Sequence, residues 1–136
     1  MTEHALALAR HRIDRAAATL AQARLLFGSQ AWDGAVNRYY YSAFHAARAL
    51  LATRGLDSGK HSGVIALFNL HFVKTGIIQP AVGRALVRSF EKRQASDYAD
   101  FAEISEEDAR RVGEETETFV RACRDALEAQ HRDPSV

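Results

Sequence analysis

Cysteine occurs once in these 136 residues, at Cys123, and proline twice. A lone thiol excludes an internal disulfide framework and any zinc finger built on cysteine pairs. So little proline leaves long helices uninterrupted and argues against a turn-rich β-sandwich. No His-Glu-x-x-His or other histidine–carboxylate pair has metal spacing, so neither a metal nor another cofactor is expected. No apolar run approaches the ~20 residues that span a bilayer. Residues 1–15 lack the apolar stretch of a signal peptide, and the expectation is a cytoplasmic protein with no membrane partner. An excess of one charge is missing too: 18 Lys+Arg face 17 Asp+Glu, a formal +1. No global field draws nucleic acid, so any such site has to be a local patch.

What remains is a globular composition, 47% apolar and 26% charged, read as one domain over 1–136. Ile13, Ala17, Leu20, Arg24 and Phe27 recur at steps of three and four and predict a helix over 3–27. A second helix is predicted over 32–54, with Trp32 as its anchor and Gly55 as its stop. The polar, Gly-rich stretch 56–63 reads as a loop. A third helix follows over 64–75 and a fourth over 80–93, with Pro80 in its first turn. Residues 94–104 form a connector. Ser105, followed by three acids, caps a fifth helix that runs to 130. β-branched alternation never extends beyond a few residues. The fold class is therefore all-α, an antiparallel four- to five-helix bundle.

The helix 32–54 carries the chemistry. At 100° per residue, Val36, Tyr40, Ala43, Phe44, Ala47 and Leu51 share a core stripe. Arg38, Tyr41, Ser42, His45 and Ala49 fall opposite, and no acid occurs between Asp33 and Asp57. A solvated face would carry Glu, Lys and Gln. This face reads either as a second packing surface or as a cationic pocket for phosphate or RNA, a guanidinium fork beside an imidazole. Its small residues Ser42, Ala49 and Ala52, with Tyr41 filling the seam, also predict close approach of a second copy, a homodimer.

Two further segments join it. Lys60, His61 and Ser62 precede a helix whose first N–H groups can hold an anion. Ser62 reads equally as that helix's N-cap, and the spacing of a phosphate-binding P-loop is missing. Arg84, Arg88, Lys92 and Arg93 concentrate positive charge late in the chain, and Asp97 can cap or pair with Arg93. His4, His11, His71 and His131 read as surface residues. Cys123 reads as structural.

In order, Arg38-Tyr39-Tyr40-Tyr41-Ser42-Ala43-Phe44-His45-Ala46-Ala47-Arg48-Ala49-Leu50-Leu51, then Lys60-His61-Ser62-Gly63-Val64-Ile65, then Phe90-x-x-Arg93-x-x-x-Asp97-Tyr98, the chain resembles the HEPN family of small helical domains. The resemblance implies a helical bundle that is usually a dimer, often encoded beside a minimal nucleotidyltransferase as a toxin–antitoxin pair. Many family members are metal-independent ribonucleases that pair an Arg with a His four to six residues later, across the dimer. Their late motif reads Arg-x4-His-x-Tyr. Here Arg93 is followed by no His, and Arg38-x6-His45 lies in an earlier helix. Cleavage would need a base, His45 or His61, and a cation, Arg38 or Arg93. Asp97 cannot replace a histidine in both proton transfers without a raised pKa. The expectation is a toxin-like subunit binding RNA or nucleotide, with an active ribonuclease or a non-catalytic interaction scaffold as alternatives. The resemblance also marks Tyr98 as a position that a partner nucleotidyltransferase adenylylates; as plain structure it would pack on Phe101.

Overall fold

A computed structural model describes residues 1–98 and 103–132. It contains five α-helices: α1 Glu3–Gly28, α2 Trp32–Ala52, α3 His61–Phe68, α4 Pro80–Tyr98 and α5 Glu106–Arg132. A π-helical turn, Asn69–Val73, prolongs α3. No strand occurs among the described residues, and no helix there is long and apolar enough to cross a membrane.

The helix ends follow local chemistry. Thr2 caps α1, its hydroxyl accepting the Ala5 N–H at 3.0 Å. Ser105 does the same for α5 through the Asp108 N–H, at 3.0 Å. α1 and α2 stop by one device, a left-handed residue followed by a bond from six back to one. Gln30, at φ 63°, lets Ala31 N–H reach the Leu26 carbonyl. Gly55, at φ 68°, lets Leu56 N–H reach that of Leu51. Only the second of these has the glycine that marks such a stop.

α1 and α2 form an antiparallel hairpin. Leu26 lies against Gly34 near the turn, and Arg12 bonds the Arg48 carbonyl at the far end. Their contact corrects two readings of the sequence. The buried stripe of α1 is Ala9, Ile13, Ala16, Leu20 and Ala23, whereas Arg24 is exposed and pairs with Glu117 of α5. The small face of α2 is used inside the chain. Ser42 is fully buried and donates its hydroxyl to the Ala16 carbonyl at 2.7 Å; Ala49, two turns on, is fully buried in the core shared with Ala9 and Ile13. Alanines on both helices let the backbones approach, so α1, not a second copy, covers this face.

α2 is the central element, packed on α1, α3, α4 and α5. α5 meets it where Gly113 faces Tyr39. A Cβ at Gly113 would lie 2.7 Å from the Tyr39 ring. α4 and α5 run antiparallel, tied by Arg88–Glu115 at 2.7 Å and Lys92–Asp108 at 3.5 Å. Two of the four cations predicted as a patch on α4 are therefore matched by acids of α5, and Arg93 by Asp97 of its own helix, while Arg84 stays exposed. α4 also continues to Tyr98, through the segment read as a connector. The third helix starts at His61, three residues earlier than its pattern predicts, and then widens. The π turn leaves Phe68 and Phe72 both buried and stacked, 5.5 Å apart, with Phe119 of α5 against Phe68.

Candidate anion-binding site

The α2 residues predicted to matter meet α3 and α4 around one aromatic cluster. Tyr40 is fully buried, and its hydroxyl lies 2.5 Å from Nδ1 of His61, in the first turn of α3. Burial pushes the Tyr40 pKa above its ordinary value, so the phenol keeps its proton. The buried hydroxyl has no other acceptor among the described residues, so donation to Nδ1 is what satisfies its O–H, and the neutral His61 then carries its own proton on Nε2. The imidazole is also stacked on Phe44, with centroids 4.6 Å apart. Burial and the nearby Arg93 both lower its pKa. Two bonded and stacked contacts fix the ring, which leaves little rotamer freedom to lose when a ligand binds.

Arg93 reaches the same cluster from α4. Its guanidinium lies 5.2 Å from the Tyr41 ring centre and 5.6 Å from that of Tyr40. Its Nε is 3.2 Å from a carboxylate oxygen of Asp97, one turn on. That pair is not aligned as a hydrogen bond, and the Nε is buried without a bonded partner among the described residues. Arg38 approaches Tyr41 as well, at 5.1 Å, held by two bonds to the Asn37 side chain. Tyr41 thus stands between two guanidiniums and two imidazoles, with ring centres 6.4 Å from His45 and 5.9 Å from His61.

His45 is half-buried in a cationic setting. Burial first, then Arg15, Arg48, Arg38 and Arg12, depress its pKa from 6.5 to about 4. It is a neutral imidazole at pH 7, and the surrounding cations disfavour its taking a proton. Opposite these arginines stands Asp57, on the loop between α2 and α3. It accepts from Arg48 at 2.8 and 3.2 Å and from Arg12 at 3.2 Å, and these contacts hold its pKa at about 2.

The fold therefore brings Arg38, Tyr41, His45, His61, Arg93 and Asp97 to one region. Lys60 and Ser62 flank His61 but are exposed, and neither side chain makes a hydrogen bond or ion pair to the cluster among the described residues. Ser62 does not cap α3. Lys60 occupies the cap position without a side-chain bond, and Ser58 accepts the Lys60 N–H at 3.2 Å. Gly63 admits Ser58 there, since a Cβ would overlap its hydroxyl. Tyr98 ends α4; its side chain, like Phe101, lies outside the described residues. Sequence reasoning missed Arg12, Arg15, Arg48 and Asp57. The available signal was Asp57 itself, the first acid after 23 residues without one. Among the described residues no three His, Cys, Asp or Glu side chains are grouped to hold a metal.

Bundle and cluster together define a small all-α domain with an aromatic and cationic surface where α2 meets α1, α3 and α4. The profile of the HEPN domain matches residues 9–126. The UPF0332 protein of Thermotoga maritima is 40% identical over 84% of this chain and 86% of its own length. A Methanocaldococcus jannaschii protein, whose name reads "Putative toxin", is 39% identical over 85% of both chains. The chain belongs to the HEPN domain family.

Proposed function

We propose that this HEPN domain is the toxin-like subunit of a toxin–antitoxin pair, with a nucleotidyltransferase as its partner, and that it binds RNA or a nucleotide at Arg38, Tyr41, His45, His61 and Arg93. The observation that carries the reading is the fixed His61 imidazole, bonded by Tyr40 and stacked on Phe44, with the Arg93 guanidinium beside it. A phosphate oxygen can take a charge-assisted bond from Arg93 and a second from the His61 Nε2–H. The name of the archaeal relative supports a toxin-like role. Fluorescence anisotropy with a labelled single-stranded RNA tests the site: Arg93→Ala and His45→Ala should lose binding while keeping the helical circular dichroism. Variants that bind like the parent overturn it.

The neutral His45 among arginines favours a second reading, metal-independent cleavage. A neutral imidazole can take the proton of a 2′-hydroxyl once a bound phosphate offsets the arginines that hold its pKa near 4, and a nearby guanidinium can meet the charge that develops on phosphorus. His61, with Nδ1 occupied by Tyr40, suits donation rather than that role. Fragmentation of RNA in excess chelator, lost in His45→Ala, distinguishes cleavage from binding. Two properties complete the proposal. The chain forms a homodimer through a surface other than the small face of α2, as the family resemblance implies; light scattering at micromolar concentration tests this, and a monomer rejects it. Tyr98 is adenylylated by the partner: a mass increase on co-expression, absent in Tyr98→Phe, supports this, and an unshifted mass with an active partner rejects it.

A further inference from the structure

We infer that Arg12, Arg15 and Arg48, beside His45, form a second phosphate subsite, and that Asp57 occupies it in the ligand-free chain as an internal competitor. The inference deepens the proposed function and rests on that reading for its link to RNA.

The charges of Arg15, Arg48, Arg38 and Arg12 all act on His45, and Asp57 is paired with two of them, Arg48 and Arg12. Arg12 is the anchor: its side chain is 12% exposed, and one Nη donates to the Arg48 carbonyl while the other reaches Asp57. Arg48 presents Nε and Nη2 to the two carboxylate oxygens of Asp57, the paired geometry that guanidinium also offers phosphate. Asp57 is different in kind. Its side chain is 46% exposed and comes from a loop rather than a helix. Two arginines built on helices thus grip an acid that the chain can withdraw without moving a helix. Arg15 is exposed and makes no ion pair among the described residues, so one cation stays available while Asp57 is in place.

The subsite is continuous with the first one. Arg48 lies over the Phe44 ring at 5.7 Å, and His61 is stacked on that ring. A phosphate at Arg93 and His61 and another at Arg48 and Arg12 would therefore be linked through the Phe44 ring, which His61 and Arg48 both contact. The ligand chemistry is a phosphoryl dianion or diester. It can come from successive phosphates of an RNA strand or from the chain of a free nucleotide.

The test measures binding of a labelled single-stranded RNA and, separately, of ATP, to the full chain and to Asp57→Asn, Arg15→Gln and the double variant Asp57→Asn/Arg48→Gln. Removing one unit charge about 4 Å from the anion should tighten binding by about fivefold in water. Arg15→Gln should weaken it, and the double variant should lose the gain. A gain with RNA alone assigns the subsite to a strand; a gain with ATP also assigns it to nucleotide phosphates. Asp57→Asn that binds no tighter, in protein whose melting curve shows it folded, overturns the inference. Should Asp57→Asn fail to fold, unchanged affinity in the surface variant Arg15→Gln overturns it instead. Arg93→Ala separates the two proposals. If it abolishes RNA binding while Asp57 and Arg15 have no effect, only the subsite fails. If Arg93→Ala has no effect while Asp57→Asn still tightens binding, the main site fails and the subsite stands.

Discussion

The Tyr40 hydroxyl donates to Nδ1 of His61 across 2.5 Å, joining the middle of α2 to the first turn of α3. The bond sets the tautomer of His61 and so decides what its outer nitrogen can do. Tyr40→Phe keeps the ring stack and removes the donor, at an expected cost of about 1–2 kcal/mol in unfolding free energy. Imidazole 15N shifts should then move from a single Nε2–H tautomer towards the mixture of a free histidine. Unmoved shifts would show that other contacts choose the tautomer.

Acid should destabilise the fold from about pH 6.5 downward, through His45 and His61. His45 titrates at about 4 in the folded chain and near 6.5 when unfolded, and the His61 pKa is lowered as well. Between those values the unfolded chain binds more protons, so stability falls as pH drops from about 6.5 towards 4. Asp57, at about 2 when folded, stays charged through that window, and its contribution is lost only below it. Urea midpoints measured from pH 7 to pH 4 should decline, and His45→Gln should flatten the slope. An unchanged slope in that variant would assign the titration elsewhere.

Gly113 and Gly28 should respond oppositely to alanine. At Gly113 the new methyl would sit 2.7 Å from the Tyr39 ring and 2.9 Å from its hydroxyl, between α5 and α2. Overpacking there should cost about 1–3 kcal/mol. At Gly28, the end of α1, nothing lies within 4 Å. Alanine there should gain about 0.4–1 kcal/mol. Chemical denaturation of the two variants checks both signs.

Cys123 is fully buried in the core, and burial pushes its thiol pKa up. It should react with a thiol reagent only as fast as the protein opens. Labelling at native pH should be slow, and complete in denaturant. Rapid labelling of the folded chain would place the thiol at the surface.

Much of this architecture was legible in sequence because it is local. Three helix starts or stops carry their own chemistry in Gly55, Pro80 and Ser105, and the 3.6-residue period marks the core stripe of α2. The gathering of Arg38, Tyr41 and His45 on one side of α2 follows from helical geometry alone. The HEPN resemblance was legible for the same reason, since its motifs are contiguous runs. The end of α1 was legible to within a residue, but not the left-handed Gln30 that closes it, because a residue other than glycine gives no sign of that backbone. His61 read as a loop residue because the glycines around it mark turns more often than first helical turns.

Only the tertiary structure decided what each face meets. The small face of α2 read as a surface for a second copy, yet α1 already occupies it through Ser42 and Ala49. The basic run of α4 read as a free patch, yet Glu115 and Asp108 of α5 answer two of its cations. Conversely, nothing in the sequence marked Arg12 and Arg15 of α1, whose charges the hairpin brings to act on His45, with Asp57 of a later loop against Arg12. The period of a helix determines which residues share a side. Which helix arrives at that side depends on burial and charge summed over residues far apart in the chain, and that sum is made only when the bundle closes.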